Sequence, residues 1–409
     1  MTESLTTQDA GVGVVPDHVP PELVHPLDQW NGADFLANPI GYWDDIRPTT
    51  RVFWSPLHGG FWCLTRYADI HEVFQRTEDF SSRLTNIPGR KVRLLPISLD
   101  PPEHRSYRRV LNRPFAPPRI EQLGVKIEHR ANELIDSFIG RGECDFMAEF
   151  AVKLPTQIFC ELLGLPPEEM DQFLEWNNTI LHVHGDAEGQ ARQTKANEEL
   201  SAYLSQFIAG RGEGPADDLV RTLLAADVDG RPMAHEEALG MVYLLFMAGL
   251  DTVTAALGWS WQFLAEHPDH RQQIVDDPEL IPSAIEELLR YYSFLEDSRT
   301  ITRDLEFAGV TMKEGDRIML PTSSADRDEE QFPDPHTVDF QRDPNRHLIF
   351  AAGPHRCLGS HLARAEVRIA MEAWHRRIPD YRIREGAQVH YHGGAVIGLD
   401  NLPIEFPAG

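Results

Sequence analysis

One cysteine of the chain stands in surroundings that suit a metal-ligating thiolate. Residues 350–359 read FAAGPHRCLG, and a helix-like run follows them. The glycines allow tight turns and close approach of a flat group, while the amides at a helix start stabilise a thiolate. A buried apolar cysteine and an activated nucleophile are the alternatives, but neither explains these surroundings. Cys357 is therefore a candidate ligand for a soft or borderline metal.

A second group with chemical potential lies in the most apolar segment of the sequence. MVYLLFMAGL at 241–250 leads directly into Asp251 and Thr252. An acid and a β-branched residue cost desolvation and helix propensity there, so alanine and leucine would suit a purely structural helix better. We interpret the pair as chemical rather than structural.

The elements that must position these residues are mainly helical. Between 103 and about 290, apolar residues recur near i, i+3 and i+4. A proline-free run from about His235 to Glu266 predicts one helix of about 45 Å that carries the Asp-Thr pair. Short runs at 51–56, 60–66 and between 299 and 321 predict minor β structure. We expect a mainly α fold with minor β, as a single domain over 26–409 after a flexible lead-in over 1–25.

Composition excludes several classes of partner. The net charge of −26 disfavours nucleic acid and anionic membrane, because the summed field repels both. The N-terminal sequence lacks the apolar run of a signal peptide or anchor, and the four cysteines are not closely paired, so we expect a cytoplasmic protein. Against this acidic background, HRSYRRVLNR at 104–113 carries a local basic face at helical spacing.

Taken together, these motifs resemble the cytochrome P450 family, and most of all its bacterial camphor-hydroxylase-like members, from about residue 25 to the end. The residues that match the haem-binding loop of the family are Phe350, Gly353, His355, Cys357 and Gly359. In that family the cysteine thiolate is the axial ligand of the haem iron. One departure is Ala351, where the family commonly has glycine. The resemblance implies a cytochrome P450 fold, with haem b (iron protoporphyrin IX) between the long central helix and the cysteine loop.

The AGLDT motif of the central helix also matches the family. The resemblance implies that Ala248 and Gly249 adjoin the haem in the oxygen-binding groove. It further implies that the Thr252 hydroxyl organises dioxygen and that Asp251 relays protons.

Two further sets of residues follow the family order. Glu287 and Arg290 lie at i and i+3 on one helix face and resemble the Glu-x-x-Arg pair, with Arg342 in the third position of a buried structural network. A surface ion pair is the alternative. The residues that the resemblance assigns to the haem propionates are His104, Arg108, Arg299 and His355.

The resemblance implies a haem-thiolate monooxygenase that inserts one oxygen atom of O2 into an unactivated C–H bond. The chain has no flavin, phosphate-loop or Fe–S cysteine motif, so two electrons must come from outside. Bacterial relatives take them from a [2Fe–2S] ferredoxin and its NAD(P)H-dependent ferredoxin reductase. The basic face is predicted to dock that ferredoxin, and a solvated helix face is the alternative. The predicted docking residues are Arg105, Arg109, Arg113 and Arg364.

The residues assigned to the substrate pocket are Val92, Ile97, Leu244, Met247, Ala248, Leu295 and Val396. They are apolar and predict a small hydrophobic substrate, with monoterpenoids and ionone-like norisoprenoids as the leading candidates. Camphor itself is not expected, because no tyrosine stands where the camphor enzyme binds the substrate ketone. We interpret His182 as a surface-loop histidine, with a hydrogen bond to a ligand carbonyl as the alternative.

Other functions on the same fold remain open from the sequence. A haem-thiolate peroxygenase or rearrangement enzyme would share the cysteine but typically lacks the Asp-Thr pair. A non-catalytic haem-binding sensor would need a signalling element, and the sequence gives no convincing evidence of one.

Overall fold

The secondary structure is mainly helical, as predicted. The computed structural model describes residues 13–84, 87, 94–183, 187–211 and 219–408. The helices are α1 Ala33–Ala37, α2 Tyr42–Ile46, α3 Tyr67–Gln75, α4 Glu103–Asn112, α5 Pro117–Phe138, α6 Lys153–Leu163, α7 Met170–His182, α8 Ala187–Ala209, α9 Leu219–Leu224, α10 His235–Glu266, α11 Pro268–Asp276, α12 Ile281–Tyr291, α13 Thr322–Ala325 and α14 Ser360–Arg377. The strands are β1 Val52–Ser55, β2 Phe61–Leu64, β3 Phe80–Ser81, β4 Glu143–Asp145, β5 Asp227–Val228, β6 Arg231–Pro232, β7 Glu296–Ile301, β8 Leu305–Phe307, β9 Val310–Met312, β10 Arg317–Pro321, β11 Arg382–Ile383, β12 Tyr391–His392, β13 Gly398–Leu399 and β14 Pro403–Glu405.

Helix α10 has the predicted bounds and forms the centre of the main core. It begins where the Glu237 carboxylate accepts the Ala234 N–H at 2.8 Å, and two glutamates in its first turn complement the helix dipole. It ends just before Pro268, which disfavours helical backbone at the preceding residue. Helices α6, α8, α12 and α14 pack against it.

Helix α10 is also long and apolar enough to cross a bilayer by those two criteria. More than half of its most apolar window is, however, buried inside the protein. Its apolar character is therefore that of a core helix.

A five-stranded sheet in the order β1-β2-β10-β7-β3 lies beside the helices. Strands β1 and β2 are antiparallel and flank a turn in which His58, Gly59 and Gly60 all have positive φ. A Cβ at Gly60 would lie 2.5 Å from the Trp54 ring, so glycine is required at this corner. Strand β10 joins β2 in parallel and β7 in antiparallel orientation.

Part of the predicted flexible lead-in is instead packed against this sheet. The Gly13 N–H donates to the Pro56 carbonyl at 2.7 Å, and the His25 N–H donates to the Trp54 carbonyl at 2.9 Å. Val19 is buried in the cluster of apolar side chains on the sheet. The prediction of flexibility is therefore wrong for residues 13–25, because backbone hydrogen bonds to strand β1 hold a segment whose composition is loop-like.

Candidate active site

The loop before α14 holds Cys357 in a defined turn. The Cys357 N–H donates to the Phe350 carbonyl at 2.8 Å and closes the loop. Gly353 has a φ of +69°, and a Cβ there would lie 2.3 Å from the Phe74 carbonyl oxygen. The predicted turn role of Gly353 is therefore present, but the close approach that requires glycine is to the end of α3. A Cβ at Gly359 would have the Cys357 sulfur as its nearest neighbour, 4.0 Å away.

Ala351 occupies the left-handed region, with a φ of +53°. Its N–H donates to the Leu348 carbonyl at 2.7 Å, so the turn is held despite this conformation. Left-handed backbone crowds the Cβ of an L-residue and costs roughly 1–2 kcal/mol. The family preference for glycine at this position thus has a local steric reason.

Cys357 is an exposed residue, yet its thiol is surrounded closely enough by protein atoms for desolvation to affect it. Burial raises the pKa of the Cys357 thiol, and the Gly359 amide together with Arg108 and Arg356 opposes that rise. The net direction is upward, so the surrounding amide and cations do not by themselves make the free thiol unusually acidic. A metal ion in contact with the sulfur would hold it deprotonated.

The other three cysteines are different. Cys63, Cys144 and Cys160 are buried, and burial raises the pKa of each of their thiols. Of the four cysteines, all of which lie in the described part of the chain, Cys357 is the one exposed residue. This agrees with its assignment as the metal ligand.

Two of the predicted propionate-binding residues carry unsatisfied ring nitrogens. The rings of His104 and His355 lie 4.2 Å apart. Both nitrogens of His104 and Nε2 of His355 are buried with no hydrogen-bond partner in the described chain. Burial lowers the pKa of His104 to about 4, and burial followed by the charge of Arg299 lowers that of His355 to about 2. Leaving such groups unpaired is costly, so this donor set fits carboxylate oxygens of a bound group.

The two arginines of the set adjoin these histidines, since the charges of Arg108 and Arg299 both depress the pKa of His355. Arg108 is half-buried and donates to the Arg356 carbonyl of the cysteine loop. Arg299 is 3% exposed and donates to Asp297 and to the Ser298 carbonyl, each at 2.7 Å. The structure thus brings the four predicted residues together, with part of the Arg299 charge already neutralised by an acid.

Helix α10 presents an accessible stripe within its otherwise buried length. Leu244, Ala248 and Thr252 are four residues apart, share one face and are accessible, whereas Met247 is only 8% exposed. The stripe is therefore an accessible strip on a helix that is otherwise mostly buried. The Thr252 hydroxyl donates to the Ala248 carbonyl at 3.1 Å, one turn earlier.

The remaining predicted pocket residues are distributed as follows. Leu295 and Val396 are paired in an isolated antiparallel bridge, which brings two distant segments together. Ile97 is 37% exposed, an unusual value for a large apolar residue. Val92 lies outside the described residues.

Gly249 owes its identity to helix packing. A Cβ at this position would lie 2.4 Å from the Phe159 ring of α6. Close contact between α6 and α10 therefore requires glycine here, and contact of Gly249 with a cofactor stays a prediction.

Asp251 pairs with a residue whose sequence interpretation is wrong. His182 is the last residue of α7, and its Nε2 lies 3.1 Å from Asp251 Oδ1. Its ring also lies 4.2 Å from that of His392 on β12. Burial raises the pKa of Asp251, but the two histidines more than offset this, so that the pKa lies below its ordinary value. His182 is thus a partner of the catalytic candidate and not a surface-loop histidine; we call these three residues the Asp251 cluster.

No sequence signal revealed His392. It belongs to a two-residue strand, and its ring nitrogen Nδ1 lies 2.7 Å from Asp400 Oδ1. Only the pairing of β12 with β13 and the packing of both beside α10 bring it to Asp251.

The predicted buried network is present and extensive. Glu287 and Arg290 are both fully buried and form two hydrogen bonds of 2.8 Å. Arg342 donates to both carboxylate oxygens of Glu287 at 3.1 Å, and Asn345 adds another donor at 3.0 Å. The backbone N–H of Asp339 completes the set at 3.0 Å. These residues, called here the Glu287 network, fix the segment that leads into the cysteine loop.

The predicted docking arginines fall into two groups. Arg105, Arg109 and Arg113 are exposed on and after α4, and Arg109 has one distant ion pair, 3.6 Å from Asp229. Arg364 instead donates two hydrogen bonds to Glu286, at 2.6 and 2.7 Å, and stacks over the Phe350 ring. Its charge is therefore largely committed within the protein.

Comparison with known proteins gives consistent results. A family model described as Cytochrome P450 matches residues 190–374. The probable cytochrome P450 127A1 of Sinorhizobium fredii is 36% identical, over 95% of this chain and 96% of the relative. The vitamin D(3) 25-hydroxylase of Pseudonocardia autotrophica is 33% identical, over 92% and 96%. The crystal structure of CYP101J2 superposes with a TM-score of 0.88 at 30% identity, over 96% of this chain and 99% of that chain.

Proposed function

The chain belongs to the cytochrome P450 family, and from this premise we propose that it hydroxylates a small apolar substrate of the monoterpenoid or ionone-like norisoprenoid class. The observation that carries the proposal is the accessible stripe of Leu244, Ala248 and Thr252 on the otherwise mostly buried helix α10. It combines an apolar surface with one hydroxyl. Bound haem would supply the activation of O2 and the insertion of one oxygen atom into a C–H bond.

The chain's own residues provide the means to hold that haem. Cys357 would be the iron ligand, since it is the one exposed residue among the four cysteines, all of which the structure describes. The propionates would be bound by His104, Arg108, Arg299 and His355. Buried ring nitrogens of His104 and His355 that have no partner in the described chain support this assignment, because a carboxylate oxygen would accept a hydrogen bond from the N–H of such a ring.

Proton supply is assigned to the neighbouring acid and alcohol of α10. The Asp251 side chain is 11% exposed, so water can reach it. Its lowered pKa keeps the carboxylate ionised, which is the form that can accept a proton. The adjacent Thr252 residue is accessible on the stripe. Its hydroxyl can pass a proton onward when its hydrogen bond to the Ala248 carbonyl is broken.

The substrate would be held mainly by burial of apolar surface, worth about 25 cal/mol per Å². The pairing of Leu295 with Val396 supports the proposal, because it brings two apolar side chains from distant segments to one place. None of the residues assigned to the pocket offers a strong hydrogen-bond donor, which favours hydrocarbons with few polar groups.

Titration of the haem-loaded protein with a graded set of ionones and monoterpenoids tests this substrate class. We expect a shift of the haem spin state, and hydroxylated product from the compounds that cause it. Leu244→Phe should weaken binding of those compounds by narrowing the stripe. Val125→Phe is the control, because Val125 is an apolar residue that is 77% exposed on α5. Absence of any spin shift across the set would refute the substrate class.

Electrons are proposed to come from a [2Fe–2S] ferredoxin, itself reduced by an NAD(P)H-dependent ferredoxin reductase in the cytoplasm. The exposed cations Arg105, Arg109 and Arg113 support docking of an acidic partner on α4, within a chain whose overall charge is strongly negative. Arg364 is left out of this surface because Glu286 holds it.

A matched pair of substitutions tests the docking surface. Arg109 and Lys195 are 74% and 76% exposed, and each has one acid at 3.6 Å. Arg109→Glu should slow reduction by ferredoxin at low salt by about tenfold, with the difference fading as salt screens the charges. Lys195→Glu on α8 should leave the rate unchanged. Equal rates for the two variants at low salt would show that α4 does not dock the partner.

A further inference from the structure

The Asp251 cluster has the composition of a metal site as well as of a proton path. Within the described chain, His182, Asp251 and His392 each offer a ligand atom, and these atoms lie within 4.8 Å of one another. They come from the end of α7, the middle of α10 and strand β12. Three separate elements therefore present two imidazoles and one carboxylate to a common point.

The distances suit an ion of the size and preference of zinc. Ligands at about 2.0–2.1 Å from a tetrahedral Zn²⁺ lie about 3.3 Å apart. The present spacing of up to 4.8 Å can close by small rotations of side chains. Two nitrogens and one carboxylate oxygen favour Zn²⁺ over Mg²⁺ or Ca²⁺, which prefer oxygen ligands alone.

A second and independent observation concerns how His392 is held. Asp400 Oδ1 lies 2.7 Å from His392 Nδ1, and this hydrogen bond lowers the pKa of Asp400 below its ordinary value. A carboxylate behind an imidazole is the arrangement that orients histidine ligands of metal sites. The other nitrogen of the ring, Nε2, is buried and has no hydrogen-bond partner in the described chain. Coordination to a metal ion would satisfy this buried nitrogen, which has no hydrogen-bond partner in the described chain.

The site is also reachable from solvent. The side chains of His182 and Asp251 are 18% and 11% exposed, and that of His392 is 21% exposed. Asp400 is 54% exposed and borders the same group. An ion can therefore enter without unfolding of α10, and water can complete a coordination shell of three protein ligands.

We propose that His182, Asp251 and His392 form a binding site for one Zn²⁺ ion or a closely similar transition-metal ion. The bound ion occupies the carboxylate of Asp251 and joins α7 to β12 across α10. As far as this affects turnover, the inference rests on the proposed function, because an Asp251 carboxylate bound to zinc is not free to accept protons. Zinc bound at this site then inhibits the enzyme without binding to the haem iron.

Calorimetric titration of the haem-loaded, chelator-treated protein with ZnCl2 tests the binding directly, without turnover. We expect one ion per chain, bound at least tenfold more weakly by His392→Gln and by His182→Gln. His129→Gln is the matched control, because His129 is an exposed histidine 3.2 Å from Glu133 and outside the cluster. An unchanged haem spectrum confirms that each variant is folded.

Zinc-edge X-ray absorption of the same samples reports the ligands, separately from the iron. Imidazole scattering with nitrogen and oxygen neighbours at about 2.0–2.1 Å is expected for the wild type. The proposed site would be overturned if zinc affinity fell by less than tenfold in both cluster variants, or if the absorption data showed sulfur ligands.

Turnover distinguishes the site from its proposed consequence. With ferredoxin, reductase and substrate, saturating Zn²⁺ should lower product formation by the wild type but not by His392→Gln, each relative to its own zinc-free rate. Binding without such inhibition would overturn the inhibitory role and leave the metal site standing. A protein without monooxygenase activity would refute the proposed function, while calorimetry would still decide the site.

Discussion

Two charged clusters of the molecule, the Glu287 network and the Asp251 cluster, are built in opposite ways. The Glu287 network is closed, because its central acid and Arg290 are fully buried and each oxygen of the acid accepts several hydrogen bonds. The Asp251 cluster is open, with side chains 11–21% exposed and a ring nitrogen left unpaired. A cluster whose hydrogen-bonding groups are all paired is rigid and structural, whereas a cluster with an unpaired group can still bind a proton or an ion. The degree to which the polar groups are hydrogen-bonded, together with their exposure, distinguishes the two roles.

The largest expected effect comes from opening the closed cluster. Arg290→Met leaves the buried carboxylate of Glu287 short of its main partner and should lower the free energy of unfolding by about 3–5 kcal/mol. Urea unfolding followed by circular dichroism measures it. Arg109→Met, at an exposed pair, should change that free energy by less than about 0.5 kcal/mol. A loss no larger than this control would mean that the network is not structural.

The open cluster should respond in activity and not in stability. Asp251→Asn keeps the shape of the side chain but removes its ability to accept a proton, so product formation should fall by about 10²-fold. Its free energy of unfolding should change by less than about 1 kcal/mol, because the side chain retains hydrogen-bonding capacity. Product analysis and urea unfolding on the same preparation provide both values. Normal turnover, or a loss of stability like that of Arg290→Met, would erase the contrast between the clusters.

A double-mutant cycle sharpens the comparison further. His182→Gln and Asp251→Asn, singly and together, should give a coupling free energy of about 0.5–1 kcal/mol for unfolding, because the hydrogen bond between the two side chains is partly exposed. The corresponding cycle of Glu287→Gln with Arg290→Met should give more than twice that value, because both side chains are buried. Similar coupling in the two cycles would contradict the distinction between a closed and an open cluster.

The smallest predicted effect concerns backbone strain at Ala351, in the cysteine loop to which the Glu287 network leads. Ala351→Gly relieves a left-handed alanine, worth roughly 1–2 kcal/mol, but adds about 0.4–1 kcal/mol of unfolded-chain entropy. The net gain in unfolding free energy should be about 0.5–1 kcal/mol. Ala352→Gly is the matched control, since Ala352 has an ordinary φ of −131° and should lose about 0.4–1 kcal/mol. Destabilisation by both changes would show that Ala351 is not strained.

Much of the site could be predicted from sequence where its residues are close together in the chain. The cysteine loop is one continuous motif, and α10 has its predicted bounds because no proline interrupts an apolar run of helical pattern. The pair of Glu287 and Arg290 is likewise set by helical spacing. These features follow from residues that are close together in the sequence.

The rest depends on contacts that spacing does not encode. His182 and Asp251 are 69 residues apart and meet only because α7 ends beside α10. The sequence predicts that Arg364 is a free cation for partner docking, but it forms an ion pair with Glu286 of α12. Residues 13–25 are loop-like in composition but are held by hydrogen bonds to the backbone of β1 and the residues after it. In each case the deciding partner lies far away in the sequence.

The most direct test of the account is the absorption spectrum of the dithionite-reduced, haem-loaded protein before and after addition of carbon monoxide. If Cys357 supplies a thiolate to the haem iron, carbon monoxide should produce a strongly red-shifted Soret band, and Cys357→His should lose that shift while still binding haem. A wild-type band at the position of ordinary histidine-ligated haem, or a red-shifted band that persists in Cys357→His, would contradict the assignment of Cys357 as the ligand.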